Sequence, residues 1–287
     1  MDMLSPNATF DELDRGDEVA FFRVGRFGGL DCLRATFRKH VFPPHTHESY
    51  AIGAFISGQH IYNHGGVLTR AGANDLCFIN PEEVHDGTPH GNGYVYRIIY
   101  PKAALLIQLM EDVTGRPAAA PSFQGPVVHD PELSVQFIRV HEALERNTDP
   151  LAADEAMTAI LARMIERYAG GNLRRGRSVQ EPDAVSRAKD FLAEHLDAQV
   201  ELSALADAAG ISPFHPIRVF RKATGLTPHA WLVDRRLHRA SELLRQGKAP
   251  AGIAMSCGFA DQSHLSRLFK SRVGVTPGQY KGSRAAA

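Results

Sequence analysis

From about Ala20 to Pro101 the chain is a succession of short runs rich in β-branched and aromatic residues: Ala20–Arg26, Leu30–Phe42, Tyr50–Ser57, His60–His64, Asp75–Ile79 and Tyr94–Tyr100. Turn-forming clusters separate them, among them Gly28-Gly29, Pro43-Pro44, Ser57-Gly58, Asn80-Pro81 and Gly91-Asn92-Gly93. Many short strands punctuated in this way predict a small antiparallel barrel or sandwich. Beyond Pro101 the period changes. Ala103–Thr114, Pro131–Asn147 and Leu151–Ala169 carry apolar residues three and four apart, including Phe137, Leu144, Met157, Ile160, Leu161, Met164, Ile165 and Tyr168, and read as amphipathic helices. Gly170-Gly171-Asn172, Arg174-Arg175-Gly176-Arg177 and Glu181-Pro182 interrupt the pattern and read as a linker. From Ala184 onward the chain reads as helix throughout. The pattern predicts an α+β, multidomain chain: a β-rich domain with flanking helices over 1–169, a linker over 170–182, and an all-α domain over 183–287. A length of 287 residues suffices for two separate cores.

Within the helical segment a single unit occurs twice, from Leu205 to Lys222 and from Ile253 to Lys270. Ala206 and Gly210 match Ala254 and Gly258 at an offset of 48. After a one-residue insertion, His215, Arg218, Phe220, Gly225, Thr227 and Pro228 match His264, Arg267, Phe269, Gly274, Thr276 and Pro277 at an offset of 49. Two copies are too few for a solenoid. They suit a duplicated helix-turn-helix. Gly210 and Gly258 supply the left-handed turn after each first helix. Ser212, followed by Pro213, is expected to cap the second helix of the first copy, and Asp261 that of the second. Leu265, Leu268 and Phe269 share a stripe and are expected in the core. Gln262, Ser263, Ser266 and Arg267 lie off it, where Gln pairs with adenine and Arg with guanine in a major groove. Pro228 to Leu244 reads as one helix, some 17 residues or ~25 Å long, that spaces the two copies.

Charge sharpens this picture. The net charge of zero hides an asymmetry: residues 183–287 hold 15 Lys and Arg against 9 Asp and Glu, and residues 1–182 hold 17 against 23. A basic helical segment beside an acidic one fits a polyanion-binding module joined to a module with another task. Cys32, Cys77 and Cys257 are isolated and lack CxxC spacing, which argues against a disulfide framework or a zinc finger. The acidic stretch from Asp11 to Glu18 does not resemble a signal peptide, and no apolar run approaches the ~18 residues of a membrane span. A soluble cytoplasmic protein is expected.

The second copy, with Gly258-Phe259, Asp261-Gln262-Ser263-His264-Leu265-Ser266-Arg267, Phe269-Lys270, Gly274, Thr276-Pro277 and Tyr280, resembles the AraC-type family of transcription regulators. The resemblance covers about residues 183–283 and extends to a cupin-like antiparallel β-barrel as the N-terminal sensor. It implies a DNA-binding function without enzymatic activity, and two helix-turn-helix units joined by a long helix. Phe214, His215, Ile217 and Arg218 in the first unit, and Gln262, Ser263, His264, Ser266 and Arg267 in the second, are the DNA-binding positions it suggests. Double-stranded DNA, a small-molecule effector, RNA polymerase and a second copy of the chain are the partners to expect. The helices over 131–147 and 151–169 either form the dimer seam or pack on the barrel. One departure stands out: Pro216 occupies the place of Leu265. With Ser212 as cap, Pro216 falls at the fourth helical position and removes a hydrogen bond. Either the first recognition helix starts late, near Pro216, or the proline is tolerated in its first turn.

In the β-rich region, His45-Thr46-His47 puts two imidazoles on one face of a strand, and His85 follows Asn80-Pro81. Metal-binding cupins use such an HxH with a following glutamate and a distant histidine. Here Ala51 and Ile52 stand in the glutamate's window, so no metal or other cofactor is expected. The histidines are read as pocket-lining groups or as core residues with satisfied hydrogen bonds. His45, His47, Tyr50, Phe55, His85, Tyr96 and Arg97 are the candidate effector contacts, with Tyr96 and Arg97 on opposite faces so that at most one points inward. A metal-dependent cupin enzyme fused to a DNA-binding module is the alternative.

Overall fold

The structure, a computed structural model, describes residues 16–64, 67–169, 182–273 and 276–282. The linker expected at 170–182 lies outside them except for its last residue. Contacts divide the chain into two compact units, one within 1–146 and 156–177, the other within 147–155 and 178–287.

The first unit is built on one eight-stranded antiparallel sheet. Its strands are β1 (Glu18–Val24), β2 (Leu30–Phe37), β3 (Phe42–His45), β4 (Ala51–His64), β5 (Val67–Gly72), β6 (Asp75–Ile79), β7 (His85–Tyr100) and β8 (Val127–His129), with a short helical turn, α1 (Arg26–Gly29), after β1. The order is β1-β2-β7-β4-β6-β8, with β3 on β7 and β5 on β4. β4 and β7 are long strands of 14 and 16 residues where the residue pattern shows only shorter pieces, and β3, β5 and β8 are additional. β2 ends at Phe37, not Phe42. The Asp17 carboxylate accepts the backbone N–H groups of Arg38, Lys39 and His40 at 2.5, 3.3 and 3.2 Å, which turns the chain out of the sheet.

Inward residues of β2 to β7, with Leu33, Phe37, Phe42, Phe55, Tyr62, Tyr94 and Tyr96 prominent, make one apolar core. Three helices follow: α2 (Ala103–Thr114), α3 (Pro131–Arg146) and α4 (Pro150–Tyr168). Asp130 caps α3 by accepting the Leu133 N–H at 3.0 Å. Its other oxygen takes bonds from Arg167 and Tyr168 of α4, both at 2.7 Å, fixing how the two helices meet.

The second unit holds α5 (Pro182–Glu194), α6 (Leu202–Ala209), α7 (His215–Thr224), α8 (Pro228–Arg245), α9 (Pro250–Ser256), α10 (Gln262–Val273) and α11 (Pro277–Gly282). α6 and α7 form one helix-turn-helix, α9 and α10 the other, and the 18-residue α8 joins them. The turns repeat bond for bond. Ile211 N–H donates to the Ala206 carbonyl at 3.1 Å and Phe259 N–H to the Ala254 carbonyl at 2.9 Å, around Gly210 (φ 68°) and Gly258 (φ 73°). The repeated Thr-Pro pairs are helix starts: Thr227 Oγ1 accepts from Ala230 N–H, and Thr276 Oγ1 from Gln279 N–H. None of the described helices is long and apolar enough to cross a membrane.

Residues 147–155 group with this unit through carboxylates. Asp149 binds the His229 ring at 2.9 Å, Glu155 accepts the His229 N–H at 2.7 Å, and Asp154 accepts the Leu202 N–H at 3.2 Å. Burial lowers the pKa of His229, but the hydrogen bond and charge of Asp149 outweigh it, and the net shift is upward. Burial likewise raises that of Asp149, and the bond from His229 reverses it. A raised histidine contributes stability that is complete below its unfolded value, about 6.5, and lost as pH rises through the folded one. The lowered aspartate contributes above its unfolded value, about 3.9, and loses this as pH falls through its folded one. Full-length His229→Gln is therefore expected to cost about 1–2 kcal/mol near pH 6, for a pair neither fully buried nor exposed, and less above pH 8. Denaturation midpoints of parent and variant across that range test it; a gap that does not narrow as pH rises contradicts the pairing.

Candidate functional site

The DNA-reading candidates sit on α7 and α10, and the two helices do not start alike. In α10, Asp261 caps as its position suggests: its Oδ1 accepts the His264 N–H at 2.6 Å and its carbonyl the Leu265 N–H at 3.1 Å. In α7 the residue before the helix is Phe214, with helix from His215, so Ser212 is not the cap and Pro213 is not the first helical residue. Pro216 falls in the first turn, where a missing N–H breaks no intrahelical bond. The cause is visible in Phe214, whose ring is buried, 5% exposed, and whose backbone lies in the turn before the helix. Phe214 is a core residue, a correction to its expected place against DNA.

Leu265 and Phe269 of α10 are fully buried and Leu268 packs beside them. Gln262, Ser263 and Arg267 are exposed, and Ser266 and His264 are half-buried. Ser263, Ser266, Arg267 and Lys270 recur at three- and four-residue steps and so share one stripe. The His264 ring is engaged within its own turn, facing Phe259 edge-on at 5.7 Å, with Nδ1 3.4 Å from the Ala260 N–H. On α7, His215, Ile217 and Arg218 are half-buried, and Arg218 Nη2 lies 3.1 Å from the His215 ring. The offset of 49 maps Lys270 onto Arg221, and both are exposed. These two cations end the stripes and extend the sequence-derived set. Their signal was the same repeat.

The second candidate site is a cavity of about 60 Å³ inside the sheet, bounded by β3, β4, β6 and β7. Five of the expected contacts line it: His45, His47, Phe55, His85 and Tyr96. Two do not. Tyr50 donates its hydroxyl to the Pro121 carbonyl at 2.6 Å and its ring meets Phe123, so it anchors a loop. Arg97 points to the opposite face from Tyr96, where its guanidinium binds Glu145 at 2.7 Å and the His141 ring at 3.0 Å. His141 donates Nε2–H to the Ile98 carbonyl at 3.2 Å, which leaves Nδ1 to accept from Arg97. Burial, then the Arg97 charge, lowers its pKa to about 4, so the ring is neutral near pH 7.

His45 stands directly opposite His85 across β3 and β7, and His47 follows two residues on. The three ring centroids lie 4.3 to 5.0 Å apart. His60, which residue alternation along β4 did not bring forward, also lines the cavity, stacked on Tyr62 and beside Tyr94. Burial drives its pKa down to about 4. Both of its ring nitrogens are buried without a hydrogen-bond partner among the described residues, an arrangement that a bound polar group would relieve.

Comparisons with known proteins bear on the two domains that carry these sites. A family model described as an AraC-like ligand binding domain matches residues 27–161, and a helix-turn-helix domain model matches residues 205–283. The HTH-type transcriptional regulator YbfI of Bacillus subtilis (strain 168) is 31% identical over 226 residues, spanning 78% of this chain and 81% of that protein. The HTH-type transcriptional activator RhaR of Klebsiella pneumoniae is 26% identical over 260 residues, 88% of this chain and 92% of its own. Among solved structures, the DNA-binding domain of AdpA in complex with a target DNA matches 35% of this chain and 92% of that one, with 29% identity and a TM-score of 0.34.

Proposed function

The chain belongs to the AraC-type family of DNA-binding transcription regulators, and from that premise we propose which residues read DNA and how the two units divide the work. Gln262, Ser263, Ser266 and Arg267 contact base edges from α10, with Lys270 on the phosphates. Ile217, Arg218 and Arg221 play the corresponding roles from α7. The observation that carries this is the equivalence of the two helices: the same turn, the same offset and the same exposed cation at the far end of each stripe. His215 and His264 hold their own helix starts more than they read sequence.

The sensor lies within residues 1–169 and the DNA-binding domain within 183–287, with 147–155 completing the latter and 170–182 as the linker. A small effector enters the cavity lined by His45, His47, Phe55, His60, His85 and Tyr96 and changes how the DNA-binding helices engage paired sites or RNA polymerase. The protein acts in the cytoplasm, by binding and without catalysis. It pairs with a second copy through α3 and α4, whose surface groove is lined by Val140, Ala156, Ala159 and Ile160 and rimmed by Arg139 and Arg163.

Selection of bound DNA from a random library by the full-length chain tests the reading. A bipartite motif with halves about one helical turn apart is expected, with binding that weakens steeply as salt rises. Absence of any enriched sequence would overturn it.

A further inference from the structure

His45, His47 and His85 each offer a ring nitrogen, and these atoms lie within 4.8 Å of one another; among the described residues they are the one group of three or more His, Cys, Asp or Glu that does so. We propose that these three histidines bind a single divalent first-row transition-metal cation of the Zn2+, Co2+ or Ni2+ kind, with a further coordination position open to the aromatic cavity.

Four observations carry the proposal, which goes beyond DNA binding and does not depend on it. The first is geometric. Three atoms within 4.8 Å of one another share a centre no more than about 2.8 Å from each, against roughly 2.0–2.1 Å for a Zn–N bond, so small ring rotations close the site. The second is orientation. His85 Nδ1 lies 3.0 Å from the Glu83 carbonyl. A carbonyl only accepts, so Nδ1 carries the proton and Nε2 presents the lone pair that a cation needs. A backbone carbonyl on the outer ring nitrogen is a recurrent support for metal-binding histidine.

The third observation is rigidity. His45 and His85 are paired across two strands, and the His47 carbonyl accepts the Glu82 N–H at 2.8 Å, which ties the segment after β3 to the turn before β7. The ligands thus stand on backbone that is itself hydrogen-bonded. The fourth is size. A cavity of about 60 Å³ holds an ion together with a few waters, at roughly 10–15 Å³ each, or with the small anionic end of an effector.

The donor set selects the cation. Three neutral imidazoles suit zinc, cobalt, nickel or copper, whereas Mg2+ and Ca2+ require oxygen ligands. The absence of a carboxylate among the three leaves a dipositive site, which favours an anionic oxygen from water or an effector at the open position. In the residue pattern a metal is only the alternative, because Ala51 and Ile52 stand where a glutamate ligand would fall; the pairing of His45 with His85 favours the metal without that glutamate.

Untagged full-length protein, stripped with a chelator, is titrated with CoCl2 and followed by calorimetry and visible absorption. The expected result is one ion per chain with the ligand-field bands of imidazole-bound Co2+. His85→Ala and His45→Gln are each expected to weaken binding more than about 100-fold, beyond what loss of an outer-shell partner costs. Thermal melts by circular dichroism accompany both variants, and the half-exposed His45 keeps the test valid if His85→Ala fails to fold. Binding of far less than one ion per chain, or stoichiometric binding that survives both substitutions, overturns the site. Gel retardation of the selected DNA by the metal-free parent is read separately, so failure of the metal site and failure of the regulator reading are distinguishable.

Discussion

Gly258→Ala is expected to destabilise the helical unit by about 3–5 kcal/mol, far more than the matching Gly210→Ala, for which about 1 kcal/mol is expected. Both glycines have positive φ, 73° and 68°, so each substitution carries the same backbone strain. Their surroundings differ. A Cβ on Gly258 would run into the Leu196 carbonyl oxygen and stand 2.8 Å from Nε and Cζ of Arg236. That guanidinium is buried and donates to the Leu196 carbonyl at 2.7 Å and the Ala198 carbonyl at 2.6 Å. Displacing it strands a buried cation and two carbonyls. A Cβ on Gly210 meets only the Arg187 Nη2 at 3.4 Å, the far end of a side chain that can yield. Urea denaturation of the two full-length variants decides the matter. Equal costs would mean that the second turn is not as tightly closed as described.

Arg267→Ala is expected to reduce affinity for the selected DNA by about 10–100-fold, the ~1–3 kcal/mol of a good base contact, and to relax the preference at one base pair. Lys270→Ala is expected to weaken all sequences alike and to reduce the salt slope by about one. Arg218→Ala is expected to cost less than Arg267→Ala, because the Arg218 guanidinium is half-buried and already engaged with His215. Binding curves for the three variants at two salt concentrations check the order. A larger loss for Arg218 than for Arg267 would move primary recognition to α7.

The helical half was legible because its signals are local. The turn glycines, the Asp261 cap, the α8 span and the buried stripe of Leu265 and Phe269 all follow from residues within one or two turns of each other. The start of α7 was not, since Ser212 and Pro213 spell a cap and the burial of Phe214 overrides it. In the sheet, alternation placed Phe55 inward but missed His60 and Tyr62. β4 shifts register against β7 between Phe55 and Ser57 and again between Gly58 and Gln59, and the inward parity changes from odd to even residues. Which of Tyr96 and Arg97 faces in was settled by Glu145, 48 residues further on, and no local pattern carries that information. The strand bearing His45 has Pro43-Pro44 at its middle, a turn signal that here belongs to a strand of four residues.

The grouping of residues 147–155 with the helical unit means that sequence order and structural membership diverge. A fragment starting at 183 would carry both helix-turn-helix elements yet leave the His229 ring without Asp149 and the N–H groups of His229 and Leu202 without Glu155 and Asp154. Gene fusions or truncations that swap sensors at the linker would transplant recognition helices stripped of a brace encoded upstream of the cut.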